Sequence, residues 1–329
     1  MRRALLTLFL IVTAGADVDT IYAAARRPKP AVAAVPSPAP VRSMSEHANG
    51  ELFFEIDDAA PPASDRAARP RRVRVYWDHA ASRSDDDLNA ERNMLLRYLD
   101  AVHPGIIDLV LLSASGPELM IIEAPDEAAR LVQVLGGLPY EGAWSTHELD
   151  LPLPPADACL YFSDGVAHID PADVGRIRCP LFVVSSAEDA NRGLLRVLAR
   201  RSAGAYFDLT ATSAEQAIAR MTRGPRVLGV TSSDGREIAF ALLPSGANRF
   251  RIIGPAPKSG DIVVTLAGGS KRTLTRAYTT KGAQVRQSDG IGVLWAMDRL
   301  YELCAAQDPD PERITALARR YSVETAILE

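Results

Sequence analysis

Two carboxylates stand where an α/β chain gathers ligand chemistry. Asp78 ends the apolar run Val73-Arg74-Val75-Tyr76-Trp77 and opens the polar loop Asp78-His79-Ala80-Ala81-Ser82. Asp164 follows a second apolar run, Ala158-Cys159-Leu160-Tyr161-Phe162, in Phe162-Ser163-Asp164-Gly165. Two carboxylates and the Ser82 hydroxyl are hard oxygen donors, the type that magnesium and calcium select. The same carboxylates also serve simply to cap loops, by accepting backbone N–H bonds at strand ends. His79, between Asp78 and Ser82, completes the residue types of a hydrolytic triad. Residues this close in one loop rarely meet that geometry, and the chain has no Gly-x-Ser-x-Gly elbow.

These residues need elements to hold them. The run 73–77 reads as a strand. Ser84 is the expected helix N-cap, with Asp85, Asp86 and Asp87 in a first turn where the helix dipole favours negative charge. Leu88, Leu95, Leu99 and Val102 then recur at helical spacing. Further strands are expected at 106–112, 118–122, 158–162, 180–184 and 204–209, and further helices at 126–135 and 194–199. The strand 106–112 is almost wholly apolar, which suits a sheet covered on both faces. Alternating β and α units imply a doubly wound, mostly parallel sheet. In such sheets ligands bind beyond the carboxyl ends of the strands, where Asp78 and Asp164 fall.

The expected organisation has five parts. Residues 1–16 read as a signal peptide: Met1-Arg2-Arg3, an apolar run from Ala4 to Ala14, then the small residues Ala14-Gly15-Ala16. An uncleaved anchor is the alternative. Residues 17–71 read as a Pro/Ala-rich linker, with one short strand at 51–56. The α/β domain spans 72–212. A helix at 213–223 and a small antiparallel β domain fill 213–287, with strands at 226–231, 237–243, 249–253, 261–267 and 271–278. A helical tail occupies 288–329: helices at 291–304 and 311–321, the second with Ile314, Leu317, Ala318 and Tyr321 on one face, and a terminal strand at 326–328. A net charge of −4 leaves no basic field to hold nucleic acid. The three cysteines, Cys159, Cys179 and Cys304, show no CxxC spacing, so a zinc site is not expected. Cys304 is expected in an apolar seam. His103, His147 and His168 stand alone and read as structural or exposed.

The loop after the first strand, and the later apolar strand running into Asp-Gly, resemble a von Willebrand factor type A domain. The segment from Leu195 to Leu209 resembles that family's last helix–strand unit. Val293-Leu294-Trp295-Ala296, the run from Arg313 to Tyr321 and the terminal Ile327-Leu328-Glu329 are similar to bacterial relatives of inter-alpha-trypsin inhibitor heavy chains. Those proteins carry a VIT domain ahead of the type A module; here 51–56 would be its remnant. The resemblance implies a metal-ion-dependent adhesion site (MIDAS) holding two loop hydroxyls and a threonine. Ala80 stands where the first hydroxyl belongs, and Trp144 at the threonine position, beside Ser145 and Thr146. What survives is Asp78, Ser82 and Asp164: a degenerate site, with weak Mg2+ or Ca2+ binding as the most it would support. The resemblance also makes the strands begun by Cys159 and Cys179 neighbours, so that a disulfide or two buried reduced thiols are both open.

The expectation is therefore a non-enzymatic, exported binding or assembly protein, periplasmic or secreted. Its strand-end surface around Asp78, Trp144 and Asp164 would meet a protein partner without metal. It would meet no nucleic acid, and a membrane only through an uncleaved signal anchor. The alternatives are a cation-dependent adhesion module and a degenerate remnant of a larger VIT–type A protein.

Overall fold

The computed structural model describes residues 38–59, 69–123, 127–144, 152–166, 177, 179–246, 248–268, 273–305 and 309–323. The expected signal peptide, the terminal strand at 326–328, and His147 and His168 lie outside them.

Six strands build the α/β module: β4 (Arg72–Asp78), β5 (Ile106–Leu112), β6 (Glu118–Glu123), β7 (Ala158–Phe162), β8 (Leu181–Ser185) and β9 (Ala205–Asp208). Their order is β6-β5-β4-β7-β8-β9, and every pairing is parallel except β5 with β6. The chain runs outward from β4 to β5 and β6, then returns to the other side of β4 as β7. That reversal is the topological switch point of the sheet, at the ends of β4 and β7.

Both faces of the sheet are covered. Helices α1 (Leu88–Val102) and α2 (Glu127–Gly136) cover one face, over Val73, Val75, Trp77, Leu109, Leu160 and Phe162. Helix α3 (Arg192–Arg201) covers the other, over Tyr76, Val110, Cys159, Tyr161, Leu181 and Val183. Helix α4 (Ala214–Arg223) was assigned by sequence to the β domain, but Ala217 and Met221 sit in the core of the first face. The α/β module therefore runs past 212 to the end of this helix.

The start of α1 is also shifted. Residues Ala81–Arg83 form a short 3-10 turn, and the N-cap is Asp87, whose carboxylate accepts the Ala90 N–H at 3.0 Å. Ser84, Asp85 and Asp86 lie ahead of the helix. Four candidate capping residues run in sequence, and the register is set by burial of Met94, Leu95 and Tyr98 against the sheet rather than by the first of them.

The linker expected at 17–71 is corrected for 39–59, which holds β1 (Ala39–Pro40), β2 (Ser43–Glu46) and β3 (Leu52–Ala59). After the α/β module come β10 (Val227–Ser232), β11 (Ala241–Leu243), β12 (Arg249–Pro255), β13 (Ile262–Ala267), β14 (Thr273–Thr279) and β15 (Val285–Gln287). These strands form two sheets, β1-β14-β13-β10 and β11-β12-β3-β2-β15. They share a core of Phe54, Ile56, Val230, Phe250, Ile252, Ile262, Val264 and Tyr278. The β domain, antiparallel except where β1 meets β14 and β2 meets β15, thus takes strands from both sides of the α/β module, which is inserted between β3 and β10. Of the strand expected at 237–243, only Ala241–Leu243 pairs as a strand, with a single bridge at Glu237.

β3 is buried on both faces. Phe54 and Ile56 point into the sandwich, and Phe53 points out to α5 (Gly290–Cys304) and α6 (Pro311–Arg320). Phe53, Ala296, Leu300, Ala318, Tyr321 and Val323 form that second core, with Ile314 and Leu317 against it as their spacing implied. Cys304 is exposed instead of lying in a seam, because it stands on the last turn of α5, away from that core.

Candidate functional site

The switch point between β4 and β7 is where sequence placed the chemistry, and Asp78 and Asp164 both lie there, fully buried. The carboxylate of Asp78 is already engaged at both oxygens. Oδ1 accepts the Ala80 N–H at 2.9 Å, and Oδ2 accepts the Ser163 hydroxyl at 2.7 Å. Ser163 Oγ in turn accepts the Gly165 N–H at 3.0 Å, and Asp164 Oδ1 accepts the Val166 N–H at 2.9 Å. These are the bonds of loop caps, in which carboxylates and a hydroxyl fold two turns back on themselves. Gly165 has a positive φ of 74° and packs on Leu195, so the turn after Asp164 needs a residue without a side chain. Burial holds the Asp78 carboxyl above its ordinary range, and the positive charge of Arg83 opposes that only in part.

Ser82 departs from this group. It lies in the 3-10 turn and is exposed, and among the described residues it makes no bond to Asp78 or Asp164. Ala80 offers no side-chain donor. Trp144 was expected at the presented surface; it is 4% exposed and packs edge-on to Tyr161, ring centroids 6.1 Å apart. A large apolar ring close to the sheet end gains more from burial than from exposure, so it fills space instead of facing a partner. Among the described residues no group of three or more His, Cys, Asp or Glu is arranged to hold a metal ion. A divalent ion would have to displace the Ala80 and Ser163 bonds to reach Asp78.

The triad reading also fails on geometry. His79 Nδ1 lies 2.9 Å from the Pro139 carbonyl, not from Ser82, and the Asp78 carboxylate is turned to Ala80 and Ser163. His103 caps α1 in a left-handed conformation, its N–H bonded to the Leu99 carbonyl.

Sequence reasoning missed the residue that organises this region. Arg83 ends the 3-10 turn and points inward, fully buried. Its Nη1 donates to the carbonyls of Asp78, at 2.7 Å, and Phe162, at 3.1 Å, which are the last residues of β4 and β7. Its Nε donates to Asp86 Oδ2 at 2.9 Å, and its Nη2 pairs with Glu91 Oε2. The guanidinium carbon lies 5.7 Å from the centre of the Trp77 ring. Glu91, in the first turn of α1, is as buried as its partner. Its Oε1 accepts the Ser186 N–H at 2.9 Å and the Ser186 hydroxyl at 3.0 Å, just past β8. Burial alone would lower the Arg83 pKa, but Glu91, Asp78 and Asp86 together raise it above the ordinary value. Asp86 is pushed up to about 6 by burial. The one signal in the sequence was a lone arginine in a loop otherwise rich in aspartate.

Cys159, in β7, and Cys179, just before β8, form a disulfide with Cα atoms 5.8 Å apart. The spacing lies within the range such bridges adopt. It fastens the entry of β8 beneath the buried face of α3.

The sheet order, its switch point and the loop after β4 define a type A-like α/β module, here set into a β-sandwich. No protein-family model matches the sequence, and no curated protein matches it. Solved structures that resemble it include an aerotolerance-related membrane protein from Bacteroides fragilis NCTC 9343, at 10% identity and a TM-score of 0.37, covering 46% of this chain and 96% of that one. The SpRpn10 VWA domain matches at 7% identity and a TM-score of 0.33, covering 46% of this chain and 95% of that one. The pilus adhesin SpaC from Lactobacillus rhamnosus GG matches at 8% identity and a TM-score of 0.32, covering 69% of this chain and 45% of that one. Among the described residues no helix is long and apolar enough to cross a membrane.

Proposed function

We propose that this chain is a non-enzymatic binding or assembly protein whose type A-like module meets a protein partner without a metal ion. One observation carries the reading: both oxygens of Asp78 are committed to Ala80 and Ser163, so the residue that would anchor a cation is already capping its loop. The contact surface is then formed by the exposed loop residues above the buried carboxylates. These are Ser82 and Asp85 after β4, Val166 after β7, and Glu188 and Asp189 after β8. Export to the periplasm or beyond is part of the proposal. It rests on the N-terminal sequence and on the Cys159–Cys179 bridge, a bond that persists in oxidising compartments. Kinship with the inter-alpha-trypsin inhibitor heavy-chain branch rests on the tail motifs.

The test is a pull-down from a periplasmic extract with the full chain as bait, run in EDTA and in millimolar magnesium or calcium. Equal recovery of a partner in both, lost on Val166→Asp, supports the reading. Recovery that requires the cation overturns it in favour of a cation-dependent adhesion module.

A further inference from the structure

A fully buried arginine is an uncommon thing to find under the loops of a sheet's ligand-binding end. Lysine and arginine are rarely taken wholly out of water unless every donor is matched. Arg83 comes close to that condition, with four of its five N–H donors matched among the described residues. Three of its nitrogens donate to four acceptors: two backbone carbonyls and two carboxylates. Those acceptors come from β4, β7, the turn before α1, and α1 itself. Through Glu91 the network reaches Ser186 at the end of β8. Asp164 adds a further negative charge that acts on Asp78 and Asp86.

We infer that Arg83 is the resident cation of this site: its guanidinium supplies, from within the chain, the positive charge that holds the carboxylate-bearing strand ends together. The inference deepens the metal-free reading of the module and rests on it. A diffusible cation leaves when it is chelated, whereas a guanidinium on the chain does not. The loops after β4, β7 and β8 are therefore held in one arrangement, with no dependence on divalent ions. Arginine suits this role better than lysine because its planar fork reaches several acceptors at once and stays charged when buried.

Two variants separate charge from packing. Arg83→Lys keeps the charge and loses the fork; Arg83→Met keeps the stem and loses the charge. Thermal unfolding of the full chain is expected to rank unaltered chain above Arg83→Lys above Arg83→Met. Adding Glu91→Gln to Arg83→Met is expected to recover part of the loss, since it removes a carboxylate left without a partner. Arg83→Met as stable as Arg83→Lys would overturn the assignment. If neither variant folds, NMR of the unaltered chain decides. Held at several points and buried, the Arg83 Nη–H protons should exchange slowly and give resolved signals. Exchange as fast as that of surface arginines would overturn the assignment too.

A parallel melt of the unaltered chain with magnesium or calcium keeps the two ideas apart. A rise of several degrees defeats the metal-free reading itself. Indifference to cations, with Arg83→Met equal to Arg83→Lys, defeats only the role given to Arg83.

Discussion

Gly193, in the first turn of α3, lies against the ring of Tyr301 on α5; a Cβ built on it would stand 2.6 Å from Tyr301 Cδ1. This is where the α/β module meets the helices of the sandwich. Arg196, one turn further along α3, places its guanidinium 5.6 Å from the centre of the same ring, and Arg200 pairs with Asp298 and Glu302. Gly193→Ala would ordinarily strengthen a helix, by about 1 kcal/mol. Here the added methyl meets the base of a ring rather than a flexible tip, and overpacking costs about 1–3 kcal/mol. The second effect is expected to win. Urea denaturation should show Gly193→Ala less stable than the unaltered chain, and the loss should shrink in the Tyr301→Ala background, because contacting residues do not add. An alanine variant as stable as the parent would mean that the ring swings aside freely.

Asp86 gives the site a pH signature. Its carboxyl is pushed up to about 6 from an ordinary 3.8, chiefly by burial. The folded state therefore holds that proton more tightly than the unfolded chain does. The contribution to stability is full below the unfolded value and is lost as pH rises through about 6. Asp86→Asn cannot titrate and still offers an oxygen to Arg83 Nε. The stability of the unaltered chain relative to this variant should fall between about pH 4 and pH 6 and level off above. A difference that stays flat across that range would show that Asp86 titrates normally.

The α/β module was legible in the sequence because its strands are nearly continuous apolar runs between turn residues, and 106–112 and 158–162 became β5 and β7 without change. The sandwich was legible only in part: its strands after the α/β module were expected, close to β10, β12, β13 and β14, but none before it was expected to join them. β3 lies within a segment whose flanks are rich in proline, alanine and charge; it pairs on one side with nearby β2, and on the other with β12, whose Ile252, opposite Ile56, lies 196 residues further along the chain. Pairing over that separation leaves no local trace. The site divides the same way. Asp78 and Asp164 could be read because strand ends mark them. Arg83 could not, since its partners are two backbone carbonyls, a neighbouring aspartate and a glutamate in the first turn of α1, none of which a spacing rule connects to a buried cation.

The Cys159–Cys179 bridge gives a count that is easy to check. With 3 cysteines in the chain and one bridge, the oxidised protein should show one reactive thiol, Cys304, before reduction and three after it. A cross-link closing a separation of 20 residues stabilises by about 3 kcal/mol if it acts mainly on the unfolded chain. Thiol titration under denaturing conditions, with urea melts with and without reductant, measures both. Three thiols in protein recovered from an oxidising compartment would show the two cysteines to be reduced, and would remove one support for export.

The strongest consequence of the inserted arrangement concerns Phe54. It lies in a strand that precedes the α/β module yet is fully buried in a core made mostly of strands that follow it. Its ring also lies against Gly254, its partner across the ladder on β12, where a Cβ would come within 3.1 Å, so the missing side chain makes room for the ring. Phe54→Ala should destabilise the chain by about 3–5 kcal/mol, the usual cost of removing a buried aromatic ring. An independent linker would tolerate the change, because a solvated segment has no cavity to leave behind. Denaturant unfolding monitored by the fluorescence of Trp295, with Trp77→Phe and Trp144→Phe in both parent and variant, distinguishes the two. Trp295 packs 5.6 Å, centre to centre, from Phe53 on the same strand, so it reports on this sandwich rather than on the α/β core. A Phe54→Ala variant that unfolds at the same urea concentration as the parent would return residues 52–59 to the role of a tether.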